Sequence, residues 1–594
     1  MSEDAHTGGD TDPAVADGGA KRADDVALDP WGSSSVADYR KLFEDFGIEE
    51  FDEVLPGVSS PHYLMRRGVI FGHRDYGRVA EAMRTGDPFA ALSGFMPTGD
   101  PHIGHKLVFD ELIWHQQQGG DVYPLIADLE AHSARGMTWQ EIDTHARDYL
   151  LSLLALGFDP DEGDATIYRQ SERREVQDLG FELGSEANFS EMEALYGFSG
   201  ETNISHLQSV ITQMADILYP QVDGEPKPTV IPVGPDQDPH VRLARDLAAR
   251  TRYFGVTEAF ASFEVTDSER EVLRWAHDSL RAALDSQGID GSALRCDLTA
   301  RFLRAFPDPD SEQAAADREP HGSAGAPDTG GILDPELFRD AAGEFTLPDE
   351  YGSEPFDDLL AVDSFPPAAA WESSAESLVG KLENAGKEPL RRRIRVLDRN
   401  ATDEAFTALI EAVDGEKRVF EAHIDSFDLD RQETAELARQ VELDHGGFGF
   451  QPPSSIYHRF MTGLTGGKMS SSVPASHISL LDDPEEGYDK VMDATTGGRE
   501  TAAKQRELGG RADECPVYEL YAYLLSADDD EFAKRVYDEC TSGELLCGDC
   551  KQQAAELMKS FLADHQEKRA EAEELLADLE IDLNLNLDLD STSR

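Results

Sequence analysis

The sequence predicts an α/β protein built on a parallel sheet with crossover helices, and three observations predict it. Apolar strand-like runs alternate with helix-like runs: residues 89–95 precede a helical pattern at 103–118, 122–127 follow it, and 229–233 precede 240–250. Turn residues punctuate them, with Pro97, Gly99 and Pro101 before one helix and Gly119-Gly120 after it. The connections are also long enough for parallel crossovers rather than hairpins.

At 594 residues the chain is too long for one core, and about three or four domains are expected. Residues 1–29 are small, acidic and aperiodic, a tail expected to be disordered. Residues 30–84 form an N-terminal extension, with short amphipathic stretches near 39–46. The α/β pattern fills 85–256. An α-rich insert is expected over 257–446, with a low-complexity linker at 311–331 and a helical stretch at 402–413. Residues 447–495 resume the first pattern. Residues 496–594 read as helical, with Ala554, Met558, Phe561 and His565 on one stripe beside Leu557 and Leu562.

Charge sets this chain apart. Lys+Arg total 53 and Asp+Glu 118, a net charge of −65 at pH 7. The acid is spread along the chain, as at Asp159–Asp164, Asp482–Glu486 and Asp528–Asp530, and is not confined to one tail. Such self-repulsion destabilises a compact state in dilute buffer, whereas molar salt shortens the Debye length to about 3 Å. The composition therefore points to a salt-adapted surface. No apolar run approaches the roughly 20 residues that span a bilayer. The acidic N-terminus is no secretory signal, so a cytoplasmic address and no membrane partner are expected.

Two motifs carry chemistry. The first is Pro97-Thr98-Gly99-Asp100-Pro101-His102-Ile103-Gly104-His105, between a strand and a helix. Glycine lets backbone approach phosphate, a helix N-terminus attracts anions, and His102 and His105 can donate to a phosphoryl group as its charge grows. A pair of histidines that merely caps the helix is the structural alternative. The second is Gly466-Gly467-Lys468-Met469-Ser470-Ser471-Ser472, where a lysine can neutralise a departing pyrophosphate and hydroxyls can bond its oxygens. A serine-rich linker with a stray lysine is its alternative.

Together and in this order, the two resemble the HIGH and KMSKS signatures of the class I aminoacyl-tRNA synthetases. Four further segments resemble the archaeal and eukaryotic tryptophanyl branch: residues 66–76, 156–160, 196–213, and 231–240 with its Asp236-Gln237-Asp238-Pro239 phrase. Residues 495–510 and 543–551 resemble its archaeal members. The resemblance implies a Rossmann-type parallel-sheet catalytic domain, the insert, and a C-terminal all-α anticodon-binding domain. It implies activation of L-tryptophan with ATP and Mg2+, transfer to tRNA(Trp), and a homodimer. His102, His105 and Lys468 would be catalytic. Pro97, Thr98, Gly99, Gly104, Met469, Ser470 and Ser471 would join them around ATP, and Gly94, Glu130, Gln213 and Gln237 would meet the amino acid. The family's usual Tyr-Thr-Gly phrase is here Leu92-Ser93-Gly94, so Phe95 and Met96 are the candidates to fill the missing tyrosine's place. A tyrosyl enzyme and a non-catalytic paralogue that binds nucleic acid are the alternatives.

Cys515, Cys540, Cys547 and Cys550 fall within the last 80 residues, with a terminal C-x-x-C. Four thiolates suit an iron–sulfur cluster or tetrahedral zinc. A minority of tryptophanyl enzymes carry a [4Fe–4S] cluster at similar spacing, and that resemblance favours iron over Zn2+. The densest basic run, Arg391-Arg392-Arg393-Ile394-Arg395, reads as a surface helix paired with local acids rather than a tRNA contact.

Overall fold

The computed structural model describes residues 43, 47–161, 163, 165–224, 226–264, 296–299, 302–305, 389–467 and 473–579. The acidic tail 1–29, the linker 311–331, most of the stretch 39–46, and Lys468, Met469, Ser470 and Ser471 lie outside them. The chain divides into two compact units, one from Met1–Leu247 and Gln451–Arg594, the other Ala248–Phe450.

The first unit is organised by a seven-stranded sheet. Its strands are β1 (Glu49–Glu50), β2 (Ile70–Arg74), β3 (Ala90–Phe95), β4 (Asp121–Ile126), β5 (Tyr168–Arg169), β6 (Thr229–Val233) and, returning after the second unit's six strands, β13 (Ser454–His458). Their order is β1-β2-β13-β6-β3-β4-β5. The five strands from β13 to β5 are parallel, while β1 and β2 add an antiparallel edge. Ala90–Ser93 and Val122–Ile126 are buried without alternation, as strands covered on both faces require.

Around the sheet run α1 (Tyr76–Thr85), α2 (Ile103–Gln117), α3 (Asp128–Arg135), α4 (Trp139–Ala155), α5 (Ile204–Leu218) and α6 (Asp238–Arg250). Helix α4 starts at a capping box in which Thr138 and Glu141 satisfy each other's backbone N–H.

In the second unit, β7 (Phe254–Glu264), β8 (Cys296–Thr299), β9 (Phe302–Ala305), β10 (Pro389–Asp398), β11 (Lys417–Val419) and β12 (His423–Ser426) form an antiparallel sheet ordered β11-β12-β10-β7-β9-β8. Helices α7 (Asp403–Ala412) and α8 (Arg431–Asp444) share its core of Phe254, Val396, Leu409, Ile424 and Val441. The described part of the expected α-rich insert is therefore built on a sheet as much as on helices. The basic run is likewise a strand, β10, and not a surface helix. Ile394 and Val396 alternate into the core, and Asp425 on β12 takes Arg395 at 2.7 and 2.8 Å, with buried Arg393 3.7 Å away. Periodicity two outweighed the run's charge.

The C-terminal segment of the first unit is helical: α9 (Pro484–Asp493), α10 (Ala502–Leu508), α11 (Pro516–Leu520), α12 (Asp530–Ser542) and α13 (Cys547–Asp578). Ala554, Met558, Leu562 and His565 of α13 are buried, and Gly487 of α9 lies so close to Leu562 that a Cβ would collide with it. Among the described residues, no helix is long and apolar enough to cross a membrane.

One buried ion pair braces the mouth of β4. Asp128 and Arg169 have fully buried side chains 3.0 Å apart. Asp128 also accepts from the backbone N–H groups of Leu129 and Ser171, while Arg169 reaches Asp143 at 2.8 Å. Asp128→Ala should lower the unfolding free energy by about 3–5 kcal/mol, because it leaves a buried guanidinium short of counter-charge. Denaturant unfolding in molar KCl checks this, and a loss below about 1 kcal/mol would contradict it.

Candidate active site

The parallel strands β3 and β6 pair only at Ala90↔Thr229 and Ala91↔Val230. Beyond that point the ladder stops, with Ser93 Oγ bonding Pro232 O at 3.2 Å across the gap. Chain order reverses here, since β3 leads outward to β4 and β5 on one side and β6 leads to β13 on the other. Open α/β sheets bind ligands at such switch points, outside the carboxyl ends of their strands. A cleft of about 440 Å³ lies there, lined by residues from the ends of five strands.

The structure brings Gly94, His102, Gly104, His105, Glu130, Gln213 and Gln237 to this one cleft. Leu92, Ser93, Phe95 and Met96 line it too, where the family's tyrosine phrase would stand. Gly94 is exposed, and a Cβ on it would press against Leu125 at 3.2 Å while filling the cleft. Pro97, Thr98 and Gly99 form the turn before α2, closed by the Thr98 N–H to Met96 O bond of 2.8 Å, and are not among the lining residues.

The histidine pair does cap its helix. His102 Nδ1 accepts the Gly104 N–H and His105 Nδ1 accepts the His102 N–H, each at 3.1 Å. Capping and donation are compatible, because an imidazole accepting at Nδ1 carries its proton on Nε2. The rings lie 3.8 Å apart, centre to centre. Burial, helped by His477, pushes His105 down to about 4, and burial holds His102 well below the usual range. Both are thus neutral at pH 7, and the Tyr149 hydroxyl lies 3.2 Å from His105 Nε2. The segment that follows Lys468 in sequence returns to this turn: Ile103 N–H bonds Ile478 O at 3.1 Å, Leu480 N–H bonds Pro101 O at 2.8 Å, and the His477 ring lies 5.1 Å from His102.

The other end of the cleft is acidic and buried. Burial, then the neighbouring Asp216 charge, raises Glu130 to about 7. Burial likewise raises Asp216 to about 7, although Tyr168 OH and Gln170 Nε2 donate to it at 2.9 and 2.6 Å. Gln213 Oε1 is buried beside them without a hydrogen-bond partner. Sequence reasoning missed Asp216, Gln170 and His458. Asp216 was within reach, since it stands three residues after Gln213 on α5 and shares its face. Gln170 follows a two-residue strand and gave no signal.

A second small cavity is ringed by Cys515, Cys540, Cys547 and Cys550, with Gln505 and Tyr518. Burial and the neighbouring thiols raise Cys540 to about 11 and Cys550 to about 12. Glycines press on the sulfurs: a Cβ at Gly498 would come within 2.7 Å of Cys547 Sγ, and one at Gly510 within 2.7 Å of Cys540 Sγ. Among the described residues, Asp100, His145 and Asp148 form the one group of three or more ligand atoms lying within 4.8 Å of one another. The four cysteines line one small cavity, and all four thiols turn to it as potential soft ligands.

Comparison with known proteins agrees with the geometry. Residues 84–266 and 431–563 match the family model of the class I tRNA synthetases (W and Y). The tryptophan–tRNA ligase 1 of Halobacterium salinarum is 62% identical over 94% of this chain and 97% of its own. The tryptophan–tRNA ligase of Methanosarcina acetivorans is 40% identical over 94% of this chain and 99% of its own. The crystal structure of tryptophanyl-tRNA synthetase from Aeropyrum pernix K1 is 28% identical, with a TM-score of 0.55, covering 94% of this chain and all of that one. Relatives of this kind set the tyrosyl alternative aside. The chain belongs to the tryptophan–tRNA ligases of the class I synthetase family.

Proposed function

We propose that the cleft between β3 and β6 binds L-tryptophan at its acidic end and ATP at its histidine end, and joins them as tryptophanyl adenylate. The observation that carries this reading is the convergence of both residue sets on one cavity. Gln213 Oε1, buried and without a partner, is an acceptor for an N–H of the amino acid, and Glu130 and Asp216 face its ammonium group. Gln237 and Gly94 border the same space. The tryptophan carboxylate then attacks the α-phosphorus in line, forming the acyl–phosphate bond as the bond to pyrophosphate breaks. The chain supplies position and charge rather than a covalent nucleophile. His102 donates from Nε2 to the phosphates, and the His105 Nε2–H, 3.2 Å from the Tyr149 hydroxyl, has to leave that partner to join it. Lys468 is assigned from its motif alone, as the cation that follows pyrophosphate, with Met469, Ser470 and Ser471 beside it. Mg2+ neutralises triphosphate charge.

The adenylate is consumed by the terminal ribose of tRNA(Trp). With a net charge of −65, little of that binding comes from counterion release. Stacking, hydrogen bonding and shape carry more of it. In the basic run of β10, Arg395 is paired with Asp425. A cytoplasmic address follows from the family's work. A homodimer follows from family resemblance, and sedimentation mass reads it directly. At the cysteine site, Cys515, Cys540, Cys547 and Cys550 would hold a [4Fe–4S] cluster, whose positive iron core would stabilise their thiolates.

The decisive assay is amino-acid-dependent ATP–pyrophosphate exchange in molar KCl, in which tryptophan alone should sustain exchange. Lys468→Ala should slow it at least about a hundredfold while tryptophan binding stays within a few-fold. Unchanged exchange would remove the lysine's role. Below pH 7 Glu130 is largely protonated and above it ionised, so the KM for tryptophan should fall as pH rises through about 7. Glu130→Gln should weaken that dependence, leaving the part that Asp216 contributes. Anaerobically purified protein should be brown, with about four irons per chain. A colourless sample with stoichiometric zinc would contradict the iron assignment.

A further inference from the structure

Beneath the cleft lies a pair of groups that the mechanism above does not use. Glu111 sits on α2, six residues beyond His105, and is completely buried. Neither of its carboxylate oxygens has a hydrogen-bond partner. His458, the last residue of β13, points Nδ1 at Glu111 Oε1 from 3.6 Å, and that nitrogen is buried and unpartnered as well. Two orphaned polar groups facing each other at that distance call for a cause, since an unmade buried hydrogen bond costs about 1–3 kcal/mol.

The neighbours leave the carboxyl to His458. His115 Nδ1 donates to the backbone carbonyl of Glu111 at 2.6 Å, so its Nε2 accepts from the Tyr76 hydroxyl at 3.0 Å. Tyr76 and His115 are thereby committed to each other. Asp110, next in sequence, takes Lys106 and the Tyr63 hydroxyl instead. Burial, with Asp110 adding, raises the Glu111 carboxyl well above its usual range, while burial pushes His458 down to about 4. Both groups are then neutral. Of the two ways they can pair, an Nδ1–H donated to the carboxyl or the acid donating to Nδ1, the second leaves the imidazole's proton on Nε2, the ring nitrogen that is not among the buried atoms without a partner. A movement of less than about 1 Å closes that bond. His458 is 8% exposed, and its ring lines the cleft with Phe460, Met461 and the two histidines of α2.

We infer that Glu111 is a positioning residue that fixes His458 as an Nε2–H donor into the cleft, a third imidazole donor for the nucleotide beside His102 and His105. This rests on the adenylate-forming reading above. The pair also brings α2, whose start holds the first motif, against β13, the strand that precedes the second motif in sequence.

The test compares Glu111→Leu with Glu111→Gln in tryptophan-dependent ATP–pyrophosphate exchange. Leucine has no donor, so kcat/KM for ATP should fall about tenfold or more. Tryptophan affinity measured without ATP should stay within twofold. Glutamine can donate its amide to Nδ1 and should restore most of the loss. A purely structural role predicts otherwise, because an apolar residue in a dry site is often neutral or stabilising. The variant His458→Phe should lose as much as Glu111→Leu, and the double variant should lose no more than either. Additive losses, equal failure of glutamine and leucine, or an unchanged ATP kcat/KM in Glu111→Leu would each overturn the inference. Should leucine prevent folding, the cycle of Glu111→Gln with His458→Phe decides instead, with glutamine expected to be active only when His458 is present. Absence of exchange in the unaltered chain would sink the parent reading, and this one with it.

Discussion

The molecule depends on two parallel strands that stop pairing. Had the β3–β6 ladder continued past Ala91 and Val230, side chains from both strands would fill the space where the cleft now lies. Because it stops, the ends of five strands deliver their next residues to one cavity: Met96 and the start of α2 after β3, Glu130 after β4, Gln170 after β5, Gln237 after β6, and Arg459–Met461 after β13. The contributing segments are far apart in sequence, and a sheet is the cheapest way to hold their ends together. Rigid backbone hydrogen bonds fix the strands, so the site inherits their precision rather than relying on loops.

Electrostatics then divides the cavity. A chain with a net charge of −65 might be expected to repel a nucleotide, yet its surface acid is screened by the salt that its composition implies. Inside the cleft the balance is different. The imidazoles are neutral because burial disfavours their charged form, and they act through oriented N–H groups instead of net charge. The carboxyls of Glu130 and Asp216 are raised by the same burial, with the Asp216 charge adding at Glu130 and the Asp128 charge at Asp216. A carboxyl that holds its proton more tightly when folded costs stability as pH climbs from its ordinary value towards 7. That cost is the expected signature of a site arranged for a ligand's ammonium group, since the ligand supplies the missing counter-charge.

How much of this was legible follows from the range over which each signal acts. The strand–turn–helix at His102 and His105 is local, and so is Thr229–Val233, so both could be placed from their own residues. The seven-stranded order was not readable, because pairing β13 beside β6 joins residues more than two hundred positions apart. The antiparallel edge strands β1 and β2 lack the continuous apolar run that marked the centre. Arg391 to Arg395 misled because charge suggests a solvated helix, whereas the run is a strand on which Ile394 and Val396 are buried and Arg395 pairs with Asp425 of another strand. Glu111 was invisible for a related reason. It reads as one more acid on a helix until the fold removes every partner except His458.

The cysteine site shows the same logic in its plainest form. Burial, and then the neighbouring thiols, raise the proton affinity of Cys540 and Cys550. Glycines at 498 and 510 bring backbone so close to two of the sulfurs that no side chain could stand there. As neutral thiols these groups pack as small, weakly polar side chains, and the raised proton affinity is the cost of turning them into thiolates. The arrangement becomes favourable once something positive occupies the centre, which turns the mutual repulsion of the thiolates into shared attraction.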